Sequence, residues 1–128
     1  MADANQGNRP LSPHLQIYRP QITSVLSILN RITGVAMSLA AVLIAWWFLA
    51  GATDAAYYDV ANGFLTSWFG ILVMVGSLWA FWYHFFGGLR HLQWDSGKGM
   101  GMKAVRRSGI AAVVLSVVAT LLCILLAL

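Results

Sequence analysis

The sequence predicts an all-α integral membrane protein with three transmembrane helices. Three observations predict this. The composition is 59% hydrophobic and only 9% charged, whereas a soluble domain carries about 25% charged residues. Three long stretches contain no Asp, Glu, Lys or Arg: residues 32–53, 60–89 and 108–128. All eight Lys and Arg residues lie before the first stretch or around the end of the second, as in a chain that crosses a bilayer repeatedly. The length of 128 residues fits one domain.

Residues 1–21 come first. The segment Arg9 to Ser24, RPLSPHLQIYRPQITS, holds Pro10, Pro13 and Pro20, so no regular helix runs through it. It is too polar to cross a bilayer. It reads as an extended arm on the cytoplasmic surface, placed to contact a soluble partner. The opening MADANQGNRP is polar and includes Asp3. It lacks the basic-then-apolar pattern of a secretory signal and is too poor in Arg and Ser for a transit peptide. This favours a bacterial inner membrane, reached through the chain's own helices; an organellar protein without its presequence is the alternative.

The first span is expected over about residues 24–51, with its helix starting between Ile22 and Ser24, after Pro20. Gly51 and residues 53–59 read as a short loop. The second span is expected over about 62–91, with an Asn62-Gly63 turn at the interface, and the third over about 106–128. Each exceeds the roughly 20 residues needed to cross hydrocarbon. Arg9, Arg19 and Arg31 precede the first span. Arg90, Lys98, Lys103, Arg106 and Arg107 flank the loop after the second, while the other loop carries only Asp54 and Asp59. The positive-inside rule then puts the N-terminus and the basic loop in the cytoplasm and the C-terminus in the periplasm. Trp46, Trp47, Tyr57 and Tyr58 mark the outer border, where amphipathic rings favour the headgroups.

The net charge of +4 does not indicate nucleic acid. The cations sit at the ends of apolar runs and form no basic face interleaved with aromatics. The single cysteine, Cys123, lies in an apolar run and allows neither an intrachain disulfide nor a multi-thiolate metal site. It reads as a small core or lipid-facing residue.

The residues that carry chemistry lie in two clusters. In HFFGGLRHLQWD, His84 to Asp95, His84 stands six residues before Arg90, about 9 Å deeper in the bilayer. An ionisable side chain there is costly and points to function. Neutral imidazole is an iron ligand, and helical bundles hold haem this way. The residue fits equally a histidine hydrogen-bonded to a neighbouring helix. Gly87 and Gly88 follow, where a flat macrocycle or another helix could approach the backbone. His91 lies two turns from His84, about 10 Å along the axis, too far to share one iron. Arg90 and His91 lie where haem propionates would emerge, and guanidinium pairs well with carboxylate. Arg90 fits interfacial anchoring as well.

The second cluster is SILNRITG, Ser27 to Gly34. Ser27 and Arg31 are i and i+4 on one helix face. Both can donate hydrogen bonds to a quinone carbonyl. On spacing alone, a serine bonded back to its own helix and a snorkelling arginine are the stronger account.

Three motifs together resemble a known family, the cytochrome b membrane-anchor subunit of succinate dehydrogenase. They are RPLSPHLQIYRP near the start, SxxxRxTG at the first span, and HxxxGLRHLxWDxG closing the second. The resemblance covers most of the chain. It implies a membrane-anchor domain over 1–128, in a helical bundle shared with a second small anchor subunit. It implies a flavoprotein subunit that oxidises succinate and an iron–sulphur subunit that passes electrons to the membrane, where they reduce ubiquinone. It implies haem b shared with the second anchor, with His84 as an axial iron ligand and His91, Arg90 and Arg31 near the haem edge. Ser27 and Arg31 are implied as quinone-binding residues. Such a subunit binds no succinate and is not active alone. The family often has histidine before the arginine, where this chain has Asn30, so position 30 is left out of the expected site. The closest rival is the anchor of a fumarate reductase. A structural anchor without haem is the rival from another class. A transporter would be expected to place more charges in mid-span than His84 alone.

Overall fold

The computed structural model describes residues 19–128. The expected arm, including His14, lies almost wholly outside the described residues. Four helices follow in order: α1 (Ile22–Thr53), α2 (Ala55–Thr66), α3 (Trp68–Asp95) and α4 (Met102–Ala127). The described residues contain helices, turns and bends and no strand. Three helices, α1, α3 and α4, are long and apolar enough to cross a membrane. At 1.5 Å per residue, α1 with its 32 residues is about 48 Å long, which overshoots a hydrocarbon core of about 30 Å.

Pro20 sets the start of α1. It disfavours helical backbone before it, Gln21 is extended at φ −90° and ψ 147°, and the helix opens at Ile22. The far end of α1 corrects the sequence reading. Residues 55–59, expected in a loop, are helical, and so are Asn62 and Gly63. Asp54 is extended, and its carboxylate accepts from the Tyr57 backbone N–H at 2.8 Å. This is an N-cap, and it starts a second helix directly after the first ends. Ser67 repeats the device, its hydroxyl accepting from Gly70 N at 3.1 Å. The second long helix therefore opens at Trp68 rather than near residue 62. Gly70 packs so closely on the end of α2 that a Cβ there would meet the Phe64 and Leu65 carbonyl oxygens.

The rings flanking this junction clasp α2 to α1. The Trp46 indole donates to the Tyr57 hydroxyl at 2.8 Å, and the Trp47 and Tyr58 rings lie 5.7 Å apart. At the other end, α3 stops at Asp95. Gly97 then takes φ 76°, the left-handed position that ends many helices, and its N–H bonds the Trp94 carbonyl at 2.8 Å.

Helix α3 is central, packed on both α1 and α4. The seams use small residues. Along α4, Gly109, Ala112, Ser116 and Thr120 are buried, and along α3 Ala80, Tyr83 and Gly87 are buried. In lipid, apolar side chains gain nothing by leaving the solvent, so close backbone packing drives association. The buried hydroxyls bond their own helix: Ser116 donates to Val113 O and Thr120 to Ser116 O, both at 2.7 Å. Large side chains such as Ile32, Leu39, Phe48, Leu72, Leu121 and Leu125 face outward. Water does not tolerate that surface over three whole helices; lipid or neighbouring helices do.

Candidate functional site

The two sequence clusters meet where α1, α3 and α4 converge. Helix α1 contributes Thr23, Leu26, Ser27 and Asn30 at successive turns. Helix α3 contributes Tyr83, Gly87, Arg90, His91 and Trp94, and α4 adds Gly109 and Ala112. These line a cavity of about 170 Å³. The spacing explains the grouping: positions 83, 87, 90, 91 and 94 recur at three- and four-residue steps, so they share one face of α3.

Of the expected site residues, Ser27, Arg90 and His91 line this cavity and His84 and Arg31 do not. Arg31 is exposed on α1. Arg90 stitches two helices together. Its Nε donates to the Ser108 hydroxyl at 3.0 Å and its Nη2 to the Val105 carbonyl at 2.9 Å, while its guanidinium lies 4.2 Å from the Trp94 ring centroid. A planar fork satisfies both acceptors and stacks on an indole, which an ammonium cannot do. His91 is exposed, with its ring edge-on to Trp94 at 5.1 Å. Gly109 belongs to the same contact: a Cβ there would meet Leu26 and would lie 3.4 Å from Arg90 Nη2.

His84 is half-buried in the α1–α3 seam. Its Nδ1 lies 2.9 Å from the Asn30 carbonyl oxygen. A carbonyl only accepts, so Nδ1 carries the proton, and Nε2 is left with its lone pair. Metal-ligating histidines take this arrangement, with one nitrogen fixed by a backbone acceptor and the other presented to the metal. Gly34 packs against the ring at Cε1. A Cβ there would stand 3.0 Å from His84 Cε1. Among the described residues no group of three or more His, Cys, Asp or Glu side chains is placed to hold a free metal ion. One oriented imidazole suits an iron whose other ligands come from a macrocycle and from elsewhere.

The sequence reading missed several cavity residues. Position 30, left out of the expected site, is on the wall. Its side-chain oxygen is buried with no hydrogen-bond partner and rests on Gly87, where a Cβ would collide with it. The Trp94 indole N–H is likewise buried without a partner. The Tyr83 hydroxyl donates to the Leu26 carbonyl at 3.0 Å and ties α3 to α1. The i, i+4 and i, i+7 relations of Tyr83, Gly87, Arg90 and Trp94 were legible, but which helix they faced was not.

Three long apolar helices converging on a cavity lined by Ser27, Asn30, Arg90 and His91 define the class: an all-α helical membrane protein. The chain belongs to the succinate dehydrogenase/fumarate reductase transmembrane subunit family, which matches residues 5–123. It is 45% identical to a succinate dehydrogenase cytochrome b556 subunit of Paracoccus denitrificans over 122 residues, 95% of this chain and 94% of the relative. A cytochrome b556 subunit of Rickettsia bellii is 44% identical, over 89% of both chains. A cytochrome b560 subunit of Marchantia polymorpha is 38% identical over 80% of this chain and 79% of its own length.

Proposed function

We propose that the chain is the haem b membrane-anchor subunit of a succinate dehydrogenase. The observation that carries the reading is the hydrogen bond from His84 Nδ1 to the Asn30 carbonyl, which frees Nε2 to bind iron. The names of the relatives, cytochrome b556 and b560 subunits of succinate dehydrogenase, support haem and favour succinate oxidation over fumarate reduction.

His84 would hold the haem iron through Nε2, and a second anchor subunit would supply the other protein ligand. Arg90, His91 and Arg31 serve the haem edge, where cationic and N–H groups pair with carboxylates. Haem, when bound, supplies a one-electron carrier within the low-dielectric bundle. The side chains of this chain orient, insulate and hydrogen-bond. Gly34 and Gly87 keep the helices close, and the outward Leu, Ile and Phe side chains exclude water.

Ser27 and Arg31 bind ubiquinone. Ser27 opens on the cavity, and Arg31 one turn on is exposed. Both donate to a quinone carbonyl, whose oxygen becomes more basic as the ring is reduced, so their bonds strengthen during reduction. Electrons arrive from an iron–sulphur subunit that receives them from the flavoprotein subunit. The quinone takes up two electrons and two protons and leaves as quinol. Succinate never meets this chain, and the chain alone is inactive. The complex lies in a bacterial inner membrane, with the N-terminus and the basic loop of this subunit on the cytoplasmic side.

Absorption spectra of the purified complex, oxidised and reduced with succinate and then dithionite, test the reading. A reduced low-spin b-type haem spectrum is expected. A complex that oxidises succinate and reduces quinone yet contains no haem would leave the structural-anchor reading in its place.

A further inference from the structure

The Ser27–Gly34 segment contains two residues for which quinone binding has no use, Thr33 and Gly34. Thr33 shares the Asn30 carbonyl with His84, and Gly34 lies beside the imidazole. Thr33 is 2% exposed, and its hydroxyl lies 2.9 Å from the Leu29 carbonyl and 3.0 Å from the Asn30 carbonyl. Other hydroxyls of the chain also bond back to their own helix: Ser38 to Gly34, Thr53 to Leu49, Thr66 to Asn62. Thr33 differs because one of its two acceptors also takes the His84 Nδ1 proton. One turn of α1 thus offers His84 a carbonyl that a hydroxyl also reaches, and a glycine backbone close beside Cε1.

We infer that Thr33 and Gly34 are positioning residues for the His84 imidazole, tuning its donor strength and its rotation. The inference rests on His84 being the iron ligand. Its chemistry is direct. A carbonyl oxygen that accepts from the Thr33 hydroxyl has less electron density for the imidazole N–H. Removing the hydroxyl strengthens the Nδ1–H···O hydrogen bond to the Asn30 carbonyl, makes Nε2 a stronger donor, and favours ferric over ferrous iron. Gly34 acts by shape. A methyl group 3.0 Å from Cε1 is tighter than a normal contact, so the ring must turn or slide by a few tenths of an ångström. Alanine is a better helix former than glycine, so the substitution does not weaken α1 itself.

The test uses the assembled complex in detergent and reads the haem midpoint potential, the low-spin electron paramagnetic resonance g-values and the haem-to-protein ratio. Thr33→Val, close to isosteric, is expected to lower the midpoint potential at full haem content. Thr33→Ser, which keeps the hydroxyl, is expected to restore it. Gly34→Ala is expected to shift the largest g-value, which follows ligand-plane orientation. Gly76→Ala in α3, where a Cβ meets nothing within 4 Å, is the control. If Thr33→Val loses haem, the result supports the inference only when Thr33→Ser recovers the native signal; failure to recover it counts against. Wild-type potential and g-values in both Thr33→Val and Gly34→Ala would overturn it. His84→Ala run in parallel separates the two layers. A native spectrum there removes the ligand assignment, whereas a lost spectrum beside silent Thr33 and Gly34 variants removes only the positioning role.

Discussion

His84 and Asn30 stand 54 positions apart in sequence, and the imidazole of one donates to the backbone carbonyl of the other at 2.9 Å. The bond ties the interior of α3 to the turn of α1 that carries Ser27 and Arg31. The histidine read as an iron ligand and the residues read as quinone ligands are therefore held by one piece of backbone.

The first prediction separates the two histidines of α3. His84→Ala should abolish or broaden the low-spin haem spectrum of the complex. His91→Ala, exposed beside Trp94, should leave it low-spin with a shifted potential. An unchanged spectrum and potential in His84→Ala would refute the ligand assignment. The chain expressed alone should not form the six-coordinate haem, since His84 supplies one axial ligand only.

If Ser27 and Arg31 bind the quinone as proposed, Ser27→Ala and Arg31→Ala should each remove a hydrogen bond to the reacting carbonyl and lower succinate-to-quinone turnover by about tenfold or more. Succinate oxidation with a soluble artificial acceptor should persist. Equal loss of both activities would mean failed assembly and no support for a quinone role.

Arg90 tests packing. Arg90→Ala removes two charge-assisted hydrogen bonds and a stack on Trp94, and should destabilise the α3–α4 contact by about 1–3 kcal/mol. Thermal unfolding of the detergent-solubilised complex reads the loss. Arg90→Lys should recover little, because an ammonium cannot reach both Ser108 and Val105 while stacking. A native melting temperature for both variants would show that the stitch contributes nothing.

Gly70→Ala tests the α2–α3 junction. Its Cβ would meet backbone oxygens of Phe64 and Leu65 rather than a movable side chain, so a loss of about 1–3 kcal/mol is expected. Gly76→Ala should melt as wild type. Equal stability of the two would show that the junction is looser than the packing implies.

Topology is tested with a reporter active only in the periplasm. Fused after Leu128 it should be active, and fused at Lys98 it should be silent. The reverse pattern would invert the orientation read from the eight basic residues.

The three long helices were legible because hydropathy adds up locally. Each span needs only its own composition to prefer lipid, and charge clusters bound it. The extra helix α2 was not read. Its start depends on one aspartate capping a helix directly after another has ended, and Asp54 followed by Ala-Ala-Tyr looks like a loop when only charge is considered. Ser27, Arg90 and His91 were named from motifs and do line the cavity. Asn30 was set aside because its side chain cannot carry charge, yet it is the backbone oxygen of that residue that holds His84.

By itself the sequence determined the class of the molecule: an all-α membrane chain with three long apolar stretches and its cations confined to the segments before the first and around the end of the second. These follow from transfer free energies and residue order, which no partner helix changes. Only the tertiary structure decided which faces meet: the Asn30 carbonyl and Gly34 against His84, Arg90 on Ser108 and Val105, Tyr83 on Leu26. Helical periodicity says which residues share a face. The axial shift and rotation between two helices are set by where small residues let the backbones touch, and that appears only when both helices are present.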